Sequence, residues 1–146
     1  MFRRTAILLA LTVLAGCSTD PAAADLENAK ATWQSRNVQN YEITVQRLCF
    51  CATIDPVRVR VEAGRVVSQT VVPTGQPLDP ALAAAYPAVP GLFALVEDAY
   101  RRAFKVGATF NREFGFPESA TIDYVGNAID DELTLRVTDF APSTAP

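Results

Sequence analysis

Cys49 and Cys51, separated by Phe50, form the one constellation in this 146-residue sequence able to do covalent or soft-metal chemistry. Thiols at this spacing can close a disulfide, exchange with the thiols of a partner, or hold a soft ion such as Cu(I). In a regular strand their α-carbons lie about 6.6 Å apart, whereas a disulfide wants β-carbons about 3.8 Å apart. The chain must therefore bend at Cys49-Phe50-Cys51 for the two to join. A three-residue ring restrains the unfolded chain by only about 1.6 kcal/mol, so stability alone is a weak reason for a bridge. A short, strained bridge is the reducible kind, yet the pair is not placed at a helix start, where a Cys-x-x-Cys thiolate is stabilised. The plain alternative is a bridged or buried pair beneath Phe50.

The sequence contains no histidine. That removes the commonest general base, the commonest zinc ligand and every Ser-His or Cys-His nucleophile pair, and no phosphate-loop, dinucleotide-binding or nucleophile-elbow pattern is present. Any metal on the two thiols would need carboxylates or another molecule to complete its shell. Asp130-Asp131-Glu132, with Asp123 and Asp139, is a carboxylate run that could hold calcium or move protons; it lacks the spacing of a calcium loop and reads as a solvated turn. Phe110, Phe114 and Phe116 crowd one hairpin and read as core, or, if exposed, as a partner site. No catalytic set and no cofactor follow from these residues.

The N-terminus gives an address. Met1-Phe2-Arg3-Arg4 is a short basic stretch, Ala6 to Leu14 is apolar over signal-peptide length, and small residues follow. The run is too short to span a bilayer. Leu14-Ala15-Gly16-Cys17 resembles the lipobox of bacterial lipoproteins, in which the cysteine takes a diacylglyceryl group before cleavage. Residues 1–16 are thus expected to be a lipoprotein signal peptide, Cys17 the lipidated first mature residue, and 17–25 a tether. Several acyl chains give a near-permanent anchor, so the expected partner is a membrane. Ser18 resembles the outer-membrane default. The expected location is the cell envelope, with the domain facing the periplasm from the outer membrane, or on the outer face of a single membrane.

Without the leader, which holds Arg3 and Arg4 and no acidic residue, 13 basic and 16 acidic side chains become 11 and 16. One modestly acidic domain with dispersed cations implies no nucleic-acid partner. At this length it buries a core without staples.

Ala22, Leu26, Ala29 and Trp33 recur at helical spacing, predicting a helix over 22–36 capped by Asp20 or Asp25 and anchored by Trp33. Alternation then predicts a long strand over 41–51, interrupted on its apolar face by Arg47. A hairpin with strands over 57–62 and 65–72 turns at Gly64. The proline-rich stretch 73–90 reads as a connection crossing the domain, with a turn of helix near 81–86. A second helix follows Pro90 and Gly91 with Leu92, Leu95, Val96, Ala99 and Ala103 on one side. Three more strands are expected over 106–111, 119–124 and 133–140. The order α-β-β-β-α-β-β-β predicts an α+β two-layer domain over 26–140, with about six antiparallel strands and two helices packed on one face. Residues 141–146 read as a flexible tail.

Taken together, the lipobox, Trp33, Tyr41, Cys49-Phe50-Cys51, Val59-Arg60-Val61, Gly64 to Ser68, Gly91-Leu92-Phe93, Gly115-Phe116-Pro117, Ile122-Asp123-Tyr124 and Asp130-Asp131-Glu132 resemble an uncharacterised bacterial lipoprotein domain family, from about Leu26 to Phe140. The resemblance implies an envelope domain and carries no activity. An antiparallel sheet with one free face and no catalytic set reads as a non-enzymatic binding module with an unidentified ligand or envelope partner. A thiol redox or soft-metal protein acting through Cys49 and Cys51 is the alternative.

Overall fold

A computed structural model describes residues 20–49, 55–128 and 131–143. The leader, Cys17, Ser18, Phe50, Cys51 and Asp130 lie outside the described residues. Helix α1 spans Pro21–Arg36. Its start follows from Asp20, whose carboxylate accepts the Ala22 N–H at 3.0 Å, and from Pro21 in the first turn, where a missing N–H costs nothing. Asn37 ends it in the left-handed conformation (φ 49°), which asparagine tolerates.

Three strands follow as a meander: β1 Tyr41–Leu48, β2 Val57–Glu62 and β3 Arg65–Val71. Valine alternation in β2 gives strict burial of Val57, Val59 and Val61 between exposed Arg58, Arg60 and Glu62. The two-residue turn Ala63-Gly64 has positive φ at both positions (48° and 74°), the backbone that matches strand twist. Its amides are held by Asn40 Oδ1 and the Gln39 carbonyl, both at 2.8 Å. After β3 a 3₁₀ helix, Pro80–Ala85, and helix α2, Val89–Arg102, lead to β4 Lys105–Phe110, β5 Pro117–Asp123 and β6 Glu132–Pro142.

The six strands make one antiparallel sheet in the order β3-β2-β1-β6-β5-β4. Both edges are therefore joined by the β3–β4 connection, and the proline-rich stretch has to cross the whole sheet on its apolar face, as its leucines and Tyr86 anticipate. Leu78, Tyr86 and Val89 are buried there. Gln69 donates through Nε2 to the Ala83 and Tyr86 carbonyls at 2.8 Å, and Arg47 to the Ala85 carbonyl at 3.1 Å. The polar interruption at Arg47 thus serves the backbone at the end of the 3₁₀ helix, where it meets a half-buried carbonyl. The core joins Tyr41, Ile43, Val45, Leu133, Leu135 and Val137 of the central strands to Leu26 and Ala29 of α1 and Leu92, Phe93 and Val96 of α2. Burial of each large aliphatic contributes about 1.5–3 kcal/mol. Both helices pack on one face, in the predicted α+β two-layer arrangement.

Most boundaries move by one or two residues, β5 starting at Pro117 rather than 119 and α2 at Val89, ahead of Pro90 and Gly91, and two of the differences bear on the site. β1 stops at Leu48, whose pairing with Thr134 is the last it makes with β6, and Cys49 is already in a bend. β6 runs two residues past Phe140, to Pro142, where the start of a tail was expected: Ala141 and Pro142 pair with Glu42 and Tyr41, and the Ser143 amide reaches the Asn40 carbonyl at 2.9 Å. A bulge at Asp139 (φ 52°) shifts register between Glu42 and Thr44. One extra residue reverses which face each side chain takes, so Phe140 points inward onto Trp33, Tyr41, Phe114 and Phe116.

Candidate functional site

Of the residues singled out for chemistry, Cys49 is half-buried beside the core at the end of β1, while Cys17 and Cys51 lie outside the described residues. Asp123 ends β5 opposite Glu132 of β6. Among the described residues no group of three His, Cys, Asp or Glu side chains is placed to hold a metal ion. Phe116 is buried, and Phe110 and Phe114 are half-buried against the core, with Phe110 stacked on Phe93 at 6.4 Å. The aromatic hairpin is packing, and its rings are turned away from solvent.

Among the described residues, the opposite face of the sheet carries no helix. Because side chains alternate along each strand, burial of the valines sends a polar set outward. Strand register then lines these residues up across the sheet. Thr70, Arg58, Thr44 and Thr138 stand in one row across β3, β2, β1 and β6. Gln46, Arg136 and Ser119 stand in the next, and Ser68, Arg60 and Glu42 on the other side.

At the centre of this polar face is Thr44, only 5 % exposed although no described helix covers it. Among the described residues its Oγ1 has no hydrogen-bond partner. A buried hydroxyl without a partner is uncommon and costly. Beside it, Arg60 is held by Glu62 at 2.6 Å and by Glu42 at 3.9 Å. Arg58 and Arg136, both exposed, make no ion pair with any described residue. A depression of about 210 Å³ lies between Glu42, Arg58, Arg60, Ser68 and Thr70. A second, of about 460 Å³, continues from Glu42 and Arg60 over the end of the sheet at Asn40, Ala63 and Ser143. Guanidinium groups and hydroxyls on a rigid sheet are suited to a carboxylate or phosphate group, which accepts two parallel N–H bonds from one arginine.

Arg58 and Arg60 alternate with valines along the sequence, but this row is not visible there. The alternation alone places the arginines outside; the juxtaposition of Arg58, Thr44 and Thr138 depends on strand order and register. The matching signal in the sequence was Thr-x-Arg-x-Thr at Thr134, Arg136 and Thr138, on one face of a single strand.

The buried tyrosines belong to the scaffold. Burial raises the Tyr41 phenol above its ordinary range, opposed by the Val89 N–H that its oxygen accepts. Tyr86 and Tyr100 are raised by burial as well. Between the helices Lys30 meets Glu97 at 2.7 Å and Glu27 at 3.0 Å; this pairing, with Glu97 foremost, raises the lysine and lowers Glu97.

Residues 25–142 match the model of a family of unknown function, DUF6174, and the chain belongs to that family. No curated protein and no solved structure matches it.

Proposed function

We propose that this member of the family is a lipid-anchored protein of the bacterial envelope, acylated at Cys17, which binds an anionic partner through the open face of its sheet and does not transform it. Thr44 carries the reading: a buried hydroxyl without a described partner, in the same row as Arg58, on the one broad face that the helices leave uncovered. A carboxylate or phosphate lying across Arg58 and Arg136 supplies the acceptor that both arginines lack among the described residues, and a shift of the side chains over Thr44 lets its sealed hydroxyl donate to the same group. The acidic balance of the chain keeps such a site from being a nucleic-acid surface.

An NMR titration of the protein with pyrophosphate and with a short polyglutamate peptide tests it. Expected are amide shifts confined to Thr44, Arg58, Arg60 and Arg136, lost in the double variant Arg58→Gln/Arg136→Gln with its fold intact. Scattered shifts, or none with either probe, sink the binding face. The envelope address is tested separately by the intact mass of the mature protein, expected to begin at Cys17 and to carry acyl chains.

A local Cys49–Cys51 bridge accompanies this reading. Its support is the bend that replaces regular strand at Cys49, the departure that a Cys-x-Cys bridge requires. Alkylation before and after reduction, read by mass, separates it from the thiol-exchange or soft-metal alternative. Two thiols that alkylate without reduction, or a metal that travels with the native protein, favour the alternative.

A further inference from the structure

We infer that the domain rests on the bilayer with one particular end, where α2 passes into β4 and β5 turns toward β6, and that Phe104, Tyr124 and Val125 enter the lipid interface there. The inference rests on the lipid anchor proposed at Cys17. Two residues, Ser18 and Thr19, lie between that cysteine and Asp20, the cap of α1, and each of the three steps extends at most about 3.6 Å. The anchor therefore holds the start of α1 within about 10 Å of the headgroups.

That start lies against the far end of α2. Asp20, Ala23 and Leu26 line a groove with Tyr100 and Arg101, while Lys30, further along α1, reaches back to Glu97. The helices are thus antiparallel, and the C-terminus of α2 is the membrane-side end. From there Ala103 leads directly to Phe104 and into β4, whose first residue, Lys105, pairs with Asp123, which in turn pairs with Glu132. Leu48, paired with Thr134, and Val72, just past β3, close the same end of the sheet.

Seven large hydrophobic side chains are exposed among the described residues, and five of them are at this end: Leu48, Val72, Phe104, Tyr124 and Val125, against Val66 and Val67 beside the opposite hairpin. Phe104 is 70 % exposed and Val125 58 %. The Phe104 ring lies over Gly126, where a β-carbon would come within 2.7 Å of it, so an apolar corner is built from two separate segments. Arg101, Arg102 and Lys105 flank it with long exposed stems, which suits an interface where charged heads return to water. Aromatic side chains favour that same layer. Glu97 and Asp98 pair with Arg101 and Arg102, and Lys105 stands opposite Asp123, so the attraction is apolar and a zwitterionic bilayer suffices. This orientation turns the 460 Å³ depression, at the other end of β1, away from the membrane.

The test is hydrogen exchange of the full acylated chain in zwitterionic phosphatidylcholine vesicles, compared with the unacylated Cys17→Ser chain in solution, after intact mass has established acylation. Amides of 103–106 and 124–126 are expected to slow on vesicles, while the hairpin at 63–67 does not change. Acylated protein that shows no slowing at this corner, or slowing at the hairpin instead, overturns the orientation and leaves the anchor standing. A mass without acyl chains overturns both. Slowing at the corner in the Cys17→Ser chain that grows with protein concentration assigns the patch to a second copy and also overturns it.

Discussion

The Tyr41 hydroxyl accepts the buried N–H of Val89 at 3.0 Å, so a strand residue caps a helix forty-eight positions away. Ala88, at the cap position of α2, offers no side-chain oxygen, and the first amides of a helix have no partner within it. Tyr41 also meets Trp33 edge-on at 5.3 Å, and thereby ties α1, the sheet and α2 at one point. Tyr41→Phe keeps the ring and orphans the amide. The expected loss is about 1–3 kcal/mol, read as a lower denaturant midpoint with unchanged m, together with faster exchange of the Val89 amide. Unchanged stability would mean that the amide finds another acceptor.

Alkaline conditions should act through the same groups. Tyr41, Tyr86 and Tyr100 have folded phenol pKa values raised by burial, so their contribution is fully present below the unfolded value of about 10 and is lost as pH rises through the folded values. Lys30, raised chiefly by Glu97, loses its contribution in the same direction. Glu97 is lowered by Lys30, so its share is present above the unfolded carboxylate value and disappears as pH falls through the folded one. Stability is therefore expected to show no dependence on these groups near neutrality and to fall above about pH 10. In a spectrophotometric titration, phenolate should appear at higher pH in the native protein than in the urea-unfolded chain. Coincident titrations would refute the buried-phenol account.

Most of the architecture was legible because it depends on local periodicity. The valine alternation of β2, the Leu26–Ala29–Trp33 stripe and the apolar side of α2 each name their own buried face, and two helices plus six strands then leave few layered solutions. What escaped depends on contacts between distant segments. Arg47 breaks an apolar face for the sake of a carbonyl at Ala85. Asp139 adds one residue to β6 and turns Phe140 inward, a reversal that alternation read along one strand cannot foresee. The Thr44 row belongs with these: its neighbours come from four strands.

Gly115 and Gly107 should part company on substitution. Gly115 has φ 84°, and a β-carbon there would lie 2.3 Å from the Ala29 carbonyl oxygen and 2.9 Å from Thr32 Cβ, both on α1. The turn is locked to α1 again by Arg36, which donates to the Glu113 carbonyl at 2.8 Å. Gly115→Ala is expected to cost about 2–4 kcal/mol from left-handed strain and overpacking. Gly107, in edge strand β4, has nothing within 4 Å of its β-carbon position and no positive φ. Gly107→Ala should be neutral or stabilising by up to about 1 kcal/mol, through the unfolded chain. Thermal melts of the two variants decide it, and equal melting points would contradict the packing of the turn on α1.

Thr44→Val separates stability from binding. Valine keeps the branched shape that suits a central strand and removes a hydroxyl that is buried without a described partner. If the free protein leaves that hydroxyl unsatisfied, valine should stabilise the fold by about 1 kcal/mol, while the anion-induced amide shifts around Arg58 and Arg136 weaken. Such an exchange of stability for binding is the expected mark of a functional polar group in a packed position. A loss of stability on Thr44→Val would show that the hydroxyl already has a partner in the free protein, and an anion would then have nothing to complete there. A gain in stability with binding unchanged would leave Arg58 and Arg136 as the whole of the site.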